Sequence, residues 1–452
     1  MSALFDVIVL GGGPAGEHCA ARLADGGLRV AIVERELLGG ECSYYGCIPS
    51  KTLLRPGEAL RAAQDAPGAA EAVEGRGLDP AAVFAWRDFM VSDYADSGQE
   101  AWARSAGIEV IRGAGRLDGP GRVVVGDATY LARDVVIATG SDAVIPPVPG
   151  LRELDGVWTN REATGLRAVP RRLLILGGGP VGVELGQAVR RMGGEVAIVE
   201  GADRLLAREA APLGDALAEV LAADGVEVHL GQHATAASRD GGEFVLDLAD
   251  GMRLRGDCLL VATGRRPRTD GLGLDTAGIE SGRGGIAVDA RMRAGDGVWA
   301  IGDVTGVWPM TYVGKYQGRV AAANILGRPR EADYSAVPRV VFTDPQIAAV
   351  GEPDGPVTAT VPLRDVPRTA TYTRAYDSRP GFMTLVSDGE RLTGAYAVGP
   401  EAGEWLQQAT VAIRARVPLT VMDDVIQPFP TFSEAFLHAL AALEARVPAP
   451  AA

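Results

Sequence analysis

The feature that most restricts the fold is a glycine pattern that occurs twice. LFDVIVL (4–10) reads as a buried strand, GGGPAG follows it, a helix is predicted from about Pro14, and LRVAIVE (28–34) reads as the next strand. Within this frame Gly11, Gly13 and Gly16 form G-x-G-x-x-G, and Glu34 ends the second strand. Residues 172–200, RLLILGGGPVGVELGQAVRRMGGEVAIVE, repeat the arrangement with Gly177, Gly179 and Gly182 and end at Glu200. Glycines at these positions allow a tight turn and bring the backbone close to a pyrophosphate at a helix N-terminus. The closing carboxylate accepts from a ribose hydroxyl. A single such turn can need the same glycines with no ligand. Two of them, 166 residues apart and each in strand–helix–strand context, point to two dinucleotide sites in one chain.

Each of these units closes alike. DVVIATGSD (134–142) and CLLVATGRRPRTDGLGL (258–274) are both buried strands ending in Ala-Thr-Gly, and GVWAIGDV (297–304) is a further strand ending in Gly-Asp. An acidic side chain at a strand end beside a dinucleotide crevice suits a ribityl or ribose hydroxyl. Its plainer reading is a cap for the helical stretch at 310–326. From about residue 337 the texture changes to alternating strands (PRVVFTDPQIAAVG, PVTATVPL, GFMTLVSD, RLTGAYAVG), followed by helical patterns at 401–415 and 431–445. The expected fold class is therefore α/β: two Rossmann-like domains and a C-terminal α+β domain whose default role is an interface. The tail ARVPAPAA is expected to be loose.

At 452 residues, nearly half apolar, the chain can bury a large core without disulfides. A net charge of −14 with no Lys/Arg block makes nucleic acid and anionic membrane poor partners. No signal peptide and no apolar run of membrane-spanning length is read, and four cysteines in this length suit a reducing, cytoplasmic setting. Of 44 basic residues 42 are arginine, and the only lysines are Lys51 and Lys315. Lysine is a compact point charge whose pKa moves readily, which arginine cannot imitate.

Lys51 closes GGECSYYGCIPSK (39–51), which holds Cys42 and Cys47. A structural zinc site wants four ligands. The other cysteines, Cys19 and Cys258, are isolated, and the chain has four histidines, so no metal site is expected. On a regular helix residues five apart lie about 7.5 Å along the axis, beyond disulfide reach, so a bridge needs a distorted turn. Gly46 permits one, and Pro49 can start a regular helix after it. A thiolate here would be favoured by that helix N-terminus and by Lys51. Two free buried thiols remain the alternative.

With these motifs the sequence resembles the class I pyridine nucleotide–disulfide oxidoreductases, which include dihydrolipoamide dehydrogenase, glutathione reductase, mycothione reductase and mercuric reductase. The resemblance covers nearly the whole chain. It rests on GGECSYYGCIPSK, both glycine fingerprints, both Ala-Thr-Gly strands, AIGDV, VVFTDPQIAAVG and PFPTFSE. It implies FAD in the first site, NADH or NADPH in the second, a homodimer with a shared active site and a small-molecule acceptor. The implied division is a flavin domain at 1–150 and 271–336, a nicotinamide domain at 151–270 and a dimerisation domain at 337–452. By the same resemblance Cys47 forms the charge-transfer thiolate beside the flavin, and Cys42 exchanges with substrate. Lys51 sits near the flavin, paired with Glu184. Asp303 binds the ribityl chain, and Met310 and Thr311 touch the isoalloxazine. The cofactor-contacting set is completed by Pro14, Ala15, Arg35, Gly40, Ala114, Thr139, Gly140, Gly264 and Gly302. Glu200 favours NADH, because a carboxylate accepts from a free 2′-hydroxyl and repels a 2′-phosphate, although nearby Arg204 softens the preference. Electrons then run from nicotinamide through flavin to a Cys42–Cys47 disulfide, whose freed thiolate attacks an acceptor.

The pattern breaks at the C-terminal motif. Disulfide reductases of this family end in His-Pro-Thr-x-x-Glu. Here Pro430, Thr431 and Glu434 are in place, but Phe429 stands where the histidine belongs, and Gln427 replaces a second histidine. Phenylalanine carries no proton, and losing a general acid–base group costs about 10²–10⁴-fold in the step it serves. His438, one turn past Glu434, is a candidate substitute. A packing role is expected for His18, and His229 and His233 belong to the nicotinamide domain. Intact NADH oxidation with weak lipoamide or glutathione reduction is expected, with Glu434 available as a catalytic carboxylate. Three readings follow: an NADH-dependent flavoprotein acting on a disulfide or other thiol-reactive acceptor, a diaphorase passing electrons to quinones or dyes, and a mercuric reductase-like or redox-sensing flavoprotein. The extra C-terminal cysteine pair of mercuric reductases is missing. Tyr44 and Tyr45 either line an apolar acceptor site or pack the turn.

Overall fold

The computed structural model describes residues 4–373 and 375–446. The tail from 447 on lies outside the described residues. The chain divides into two compact units. One comprises the residues up to Ser50 with Ala85–Val144 and Gly264–Asp333; the other comprises Lys51–Phe84, Ile145–Thr263 and the residues from Tyr334 on.

The first unit is built on an eight-stranded sheet. Strand β1 (Leu4–Leu10) lies between β2 (Val30–Glu34) and Ala128–Ile137, all parallel, with Glu109–Arg112 outside β2 and Val298–Ala300 outside Ala128–Ile137. Both faces of β1 are covered. Phe5, Ile8 and Leu10 point into one core with Val33 and Ile137, while Val7 and Val9 point into another with Cys19, Leu23 and Val136. This is why the strand reads as a continuous apolar run rather than an alternating one. Helix α1 (Pro14–Asp25) packs closely on the helix Thr311–Ile325. The Ala15 side chain meets Gly302 and Gly314, and a Cβ at Gly318 would lie 2.9 Å from the Ala15 carbonyl oxygen. The cysteine stretch forms two helices, α2 (Gly40–Tyr44) and α3 (Cys47–Asp65). The second begins two residues before Pro49, where the sequence had placed its start.

The second unit contains a four-stranded parallel sheet in the order Glu227–His229, Glu195–Val199, Arg172–Leu176, Cys258–Val261, and a three-stranded antiparallel sheet over 234–256. It also contains a five-stranded antiparallel sheet in the order Arg339–Val341, Gln346–Gly351, Leu392–Gly399, Phe382–Ser387, Val357–Pro362. Leu53 and Leu54 of α3 join Leu173 and Ile175 of the parallel sheet and Ile347 and Val398 of the antiparallel one in a single core. Arg191 bridges the same two parts, pairing with Asp224 at 3.1 Å and Asp344 at 2.7 Å. The helix predicted over 401–415 is broken at Leu406 into Ala402–Trp405 and Gln407–Ala415, and the one at 431–445 starts as a 3-10 turn, Phe432–Glu434.

Candidate functional site

The two glycine loops have nearly identical geometry. Gly11 (φ +107°) and Gly177 (φ +109°) use the left-handed region, and a Cβ on either would lie within 2.5 Å of a carbonyl oxygen, that of Ala138 or Ala262. A Cβ on Gly16 or Gly182 would lie 2.0 or 2.1 Å from the oxygen of Gly11 or Gly177, so these glycines permit the close approach of helix to turn. The middle glycines differ in kind. A Cβ on Gly13 would meet nothing nearer than Gly40 Cα at 4.0 Å, and one on Gly179 would meet nothing within 4 Å. Both are helix N-caps in extended conformation with no side-chain cap. Each loop thus leaves open space over uncapped helix N–H groups, which is the shape and polarity a pyrophosphate needs. Pro14 and Pro180 stand at the first helical position, where a missing N–H costs nothing.

The two closing glutamates repeat the same internal bonds. Glu34 accepts from Gly12 N–H at 2.8 Å and Glu36 N–H at 2.7 Å; Glu200 accepts from Gly178 N–H at 2.6 Å and Ala202 N–H at 2.8 Å. Each carboxylate ties the glycine loop to its strand end and keeps lone pairs for a ribose hydroxyl. Arg204 donates to Asp203 at 3.3 Å and to the Ala207 carbonyl at 3.2 Å. Arg35 is exposed and pairs with Glu36 at 3.7 Å, Ala114 is exposed in the loop after Glu109–Arg112, and a Cβ on Gly40 (φ +61°) would lie 2.6 Å from Gly13 Cα.

At the Gly-Asp strand end, Gly302 (φ +77°) and Asp303 form a short 3-10 turn. Asp303 does not cap the following helix, whose N-cap is Met310. Its carboxylate instead accepts from Ser141 Oγ at 2.6 Å, and Arg265 donates to the same Ser141 oxygen at 2.8 Å while lying 3.5 Å from Glu41, the neighbour of Cys42. The two segments after Ala-Thr-Gly pair as antiparallel strands, Ser141–Ala143 with Arg265–Pro267, which brings Ser141 and Arg265 together. Gly140 (φ +77°) and Gly264 (φ +136°) turn into these strands, and the Thr139 hydroxyl donates to the Arg268 carbonyl at 2.8 Å. Buried Gln317 accepts from Gly302 N–H at 2.6 Å. Sequence reasoning named neither Ser141, Arg265 nor Gln317. The only signals were a serine and an arginine directly after the Ala-Thr-Gly repeats, and the partnership depends on a pairing 124 residues apart.

Cys42 lies on α2, and Cys47 opens α3. Both are free thiols, hydrogen-bonded to each other, and the Thr311 hydroxyl lies 3.4 Å from the Cys47 sulfur. Gly46 makes the turn by closeness rather than by a left-handed φ. A Cβ there would sit 3.2 Å from the Glu41 oxygen and 3.3 Å from Cys42 Cα. The bond to Cys47, then burial, push the Cys42 thiol well above its ordinary range. A dithiol this close ionises one sulfur at a time, so the thiolate the sequence suggested is not favoured on Cys42 in this state. Tyr44 is buried beneath the turn rather than lining an open surface.

In the second unit, Lys51 donates to Glu184 Oε2 at 2.6 Å and lies 4.6 Å from the centre of the Phe342 ring. The other oxygen of buried Glu184 accepts from Phe342 N–H at 2.9 Å. At the C-terminal motif, Phe429 is 73% exposed. Glu434 is buried and accepts from Thr431 N–H at 3.3 Å in a capping box. His438 is exposed and makes no hydrogen bond or ion pair with Glu434, and His18 is exposed rather than packed. Among the described residues no group of three or more His, Cys, Asp or Glu is arranged to hold a metal ion.

Comparison with known proteins agrees with this geometry. Residues 5–320 match the family model described as pyridine nucleotide-disulphide oxidoreductase, and residues 337–440 match that family's dimerisation domain. The chain is 36% identical to a dihydrolipoyl dehydrogenase of Thermus scotoductus, with 97% of each chain covered. It is 34% identical to a mercuric reductase of Acidithiobacillus ferrooxidans, covering 95% of this chain and 80% of that one. Its structure superposes on a Cu(II) complex of the HOCl-induced flavoprotein disulfide reductase RclA of Escherichia coli with a TM-score of 0.84 at 27% identity, covering 95% of this chain and 98% of that one. Two open pyrophosphate cradles, a paired dithiol and these full-length matches lead to one assignment: the chain belongs to the pyridine nucleotide-disulphide oxidoreductase family, FAD-dependent enzymes that use a pyridine nucleotide and a redox-active disulfide.

Proposed function

We propose that this chain is an NADH-dependent flavoprotein that passes electrons through Cys42 and Cys47 to a disulfide or another thiol-reactive acceptor. The observation that carries the reading is the dithiol: two free thiols within hydrogen-bonding reach of each other, with Cys47 at a helix start and 3.4 Å from the Thr311 hydroxyl. In this reading 1–150 with 271–336 is the flavin domain, 151–270 the nicotinamide domain and 337–452 the interface of a cytoplasmic homodimer with a shared active site. No helix among the described residues is long and apolar enough to cross a membrane.

FAD would be held by the open cradle at Gly13, by Glu34 and by Asp303, and when bound it supplies the two-electron relay between nicotinamide and dithiol. The chain's own residues supply the rest. Cys42 is the exchanging thiol. The Thr311 hydroxyl and the first N–H groups of α3 stabilise negative charge on Cys47. Glu184 fixes the Lys51 ammonium. Glu200 keeps lone pairs for the 2′-hydroxyl of NADH, and Arg204 is occupied by its own loop.

Phe429 offers no proton to the exchanging thiol, so acceptors that need none are favoured. Thiolates bind thiophilic metal ions without a proton relay, and relatives named for mercuric ion or complexed with Cu(II), which a dithiol reduces to soft Cu(I), make metal ions the first acceptors to try. A diaphorase passing electrons to quinones is the second reading, favoured by the same exposed phenylalanine. Enzyme reduced anaerobically with NADH is mixed with lipoamide, Cu(II) or a quinone, and flavin absorbance is followed by stopped flow. Prompt reoxidation by Cu(II) with Cys42 intact, lost in Cys42→Ser, supports the proposal. Reoxidation by quinone alone, unchanged in Cys42→Ser, replaces it with the diaphorase reading.

A further inference from the structure

Ser92, Asp93 and Tyr94 are three consecutive non-glycine residues in the left-handed region, with φ of +51°, +50° and +58°. They form one tight turn, closed by Tyr94 N–H to the Val91 carbonyl at 3.0 Å and Ala95 N–H to the Ser92 carbonyl at 2.9 Å. L-residues avoid this conformation, and runs of it persist only where surrounding contacts enforce it. The contacts made next explain the enforcement. The Tyr94 ring stacks on Tyr45, centroids 5.7 Å apart at 26°. The Ala95 carbonyl accepts from the Tyr44 hydroxyl at 3.5 Å, which also donates to the Leu38 carbonyl at 3.1 Å. The Asp96 carboxylate accepts from Leu38 N–H at 2.7 Å and from Arg112 at 2.6 Å, and Arg112 reaches the Glu36 carbonyl at 2.8 Å. Three successive residues, 94 to 96, thus grip the chain at 45, 44 and 38, on both sides of Cys42.

We infer that the left-handed turn Ser92–Tyr94 is a positioning device for the dithiol: it presents Tyr94, Ala95 and Asp96 in one run and holds the Cys42 turn against the start of α3. This rests on the family's dithiol chemistry and not on the acceptor proposed above. Oxidation forms the Cys42–Cys47 S–S bond and releases two electrons and two protons. A grip that keeps the sulfurs together raises their effective concentration and favours the closed form. Tyr94 and Tyr45 are positioning residues, acting through the turn that carries the sulfurs.

The test uses holoenzyme equilibrated in glutathione buffers, where oxidised glutathione takes the two electrons and two protons and leaves as two reduced molecules. The fraction of Cys42–Cys47 disulfide is read by alkylation and peptide mass spectrometry. Tyr94→Gly removes the ring while glycine accepts φ +58° freely, and Tyr45→Leu removes the other half of the stack. Each should need a roughly tenfold more oxidising buffer for half-closure, equivalent to about 30 mV, with the double variant no further shifted. Tyr94→Phe should match the parent. Half-closure compares two folded redox states, so a loss of stability common to both leaves it in place, which separates positioning from general destabilisation. Half-closure within twofold of the parent in both Tyr94→Gly and Tyr45→Leu overturns the inference. If Tyr94→Gly fails to fold, Tyr45→Leu alone decides it.

Discussion

Glu17 offers a test that needs no substrate. It stands in the first turn of α1, mostly buried, and its Oε1 is buried without a hydrogen-bond partner. Burial raises its pKa from an ordinary 4.5 to about 7; attraction to Lys315 works against this, and repulsion from Glu34 adds to it. The folded state therefore holds a proton that the unfolded chain releases, and the group costs stability as pH rises from about 4.5 to about 7. A shift of that size corresponds to about 3 kcal/mol above pH 7.5, about 1 kcal/mol at pH 5 and nothing below pH 4. Glu17→Gln is isosteric and neutral, so it removes the penalty. Thermal unfolding of the two holoproteins across pH 4–8 should show no difference at the acid end. At pH 8 the variant should melt roughly 6–12 °C higher, at ~2–4 °C per kcal/mol for a unit of 150–250 residues. A bound pyrophosphate at the helix start would push the group the same way. A variant that is no more stable at pH 8, or whose advantage is independent of pH, would refute the reasoning.

Other outcomes follow from the same structure. Gly16→Ala places a Cβ 2.0 Å from the Gly11 oxygen and should weaken FAD retention roughly tenfold or more, measured as flavin released on dilution, whereas Gly182→Ala should keep its flavin and instead raise the KM for the pyridine nucleotide. Glu184→Gln keeps an acceptor for Phe342 N–H but leaves Lys51 without its counter-charge. With Lys51 one-third exposed, the cost should be about 1–2 kcal/mol in urea unfolding, and about 2–4 kcal/mol for Glu184→Ala, which orphans both donors. Phe429→His, at a largely exposed position that tolerates exchange, should raise lipoamide reduction by about 10²–10⁴-fold and leave flavin reduction by NADH unchanged; an unchanged lipoamide rate would mean that position 429 does not serve the exchanging thiol.

Much of the site was legible because its chemistry is local. The close approach of Gly16 to Gly11 and of Gly182 to Gly177, the closing glutamates 22 residues from the glycine each one braces, and the Cys42–Cys47 spacing are all local, and period and residue type report them directly. The Lys51–Glu184 pair was reached only through resemblance, since 133 residues separate its partners. Helix ends were the weaker part. Pro49 suggested a start that lies at Cys47, and the pattern at 401–415 concealed the break at Leu406.

By itself the sequence determined that the chain would form two strand–glycine turn–helix loops, a cysteine pair followed by Lys51, and a C-terminal motif with phenylalanine at position 429. These follow from residue identity: glycine where a Cβ cannot fit, sulfur for two-electron exchange, and an aromatic ring where a proton carrier would stand. Tertiary structure alone decided that Glu34 and Glu200 brace their own loops, that Ser141 and Arg265 connect Asp303 to Glu41, and that a strained turn at 92–94 grips the Cys42 loop. Each of these is a pairing of groups 22 to 224 residues apart or a backbone conformation against local preference. Such features exist only once the strands have paired and the cores have closed, because only then do contacts outweigh the cost of ordering them.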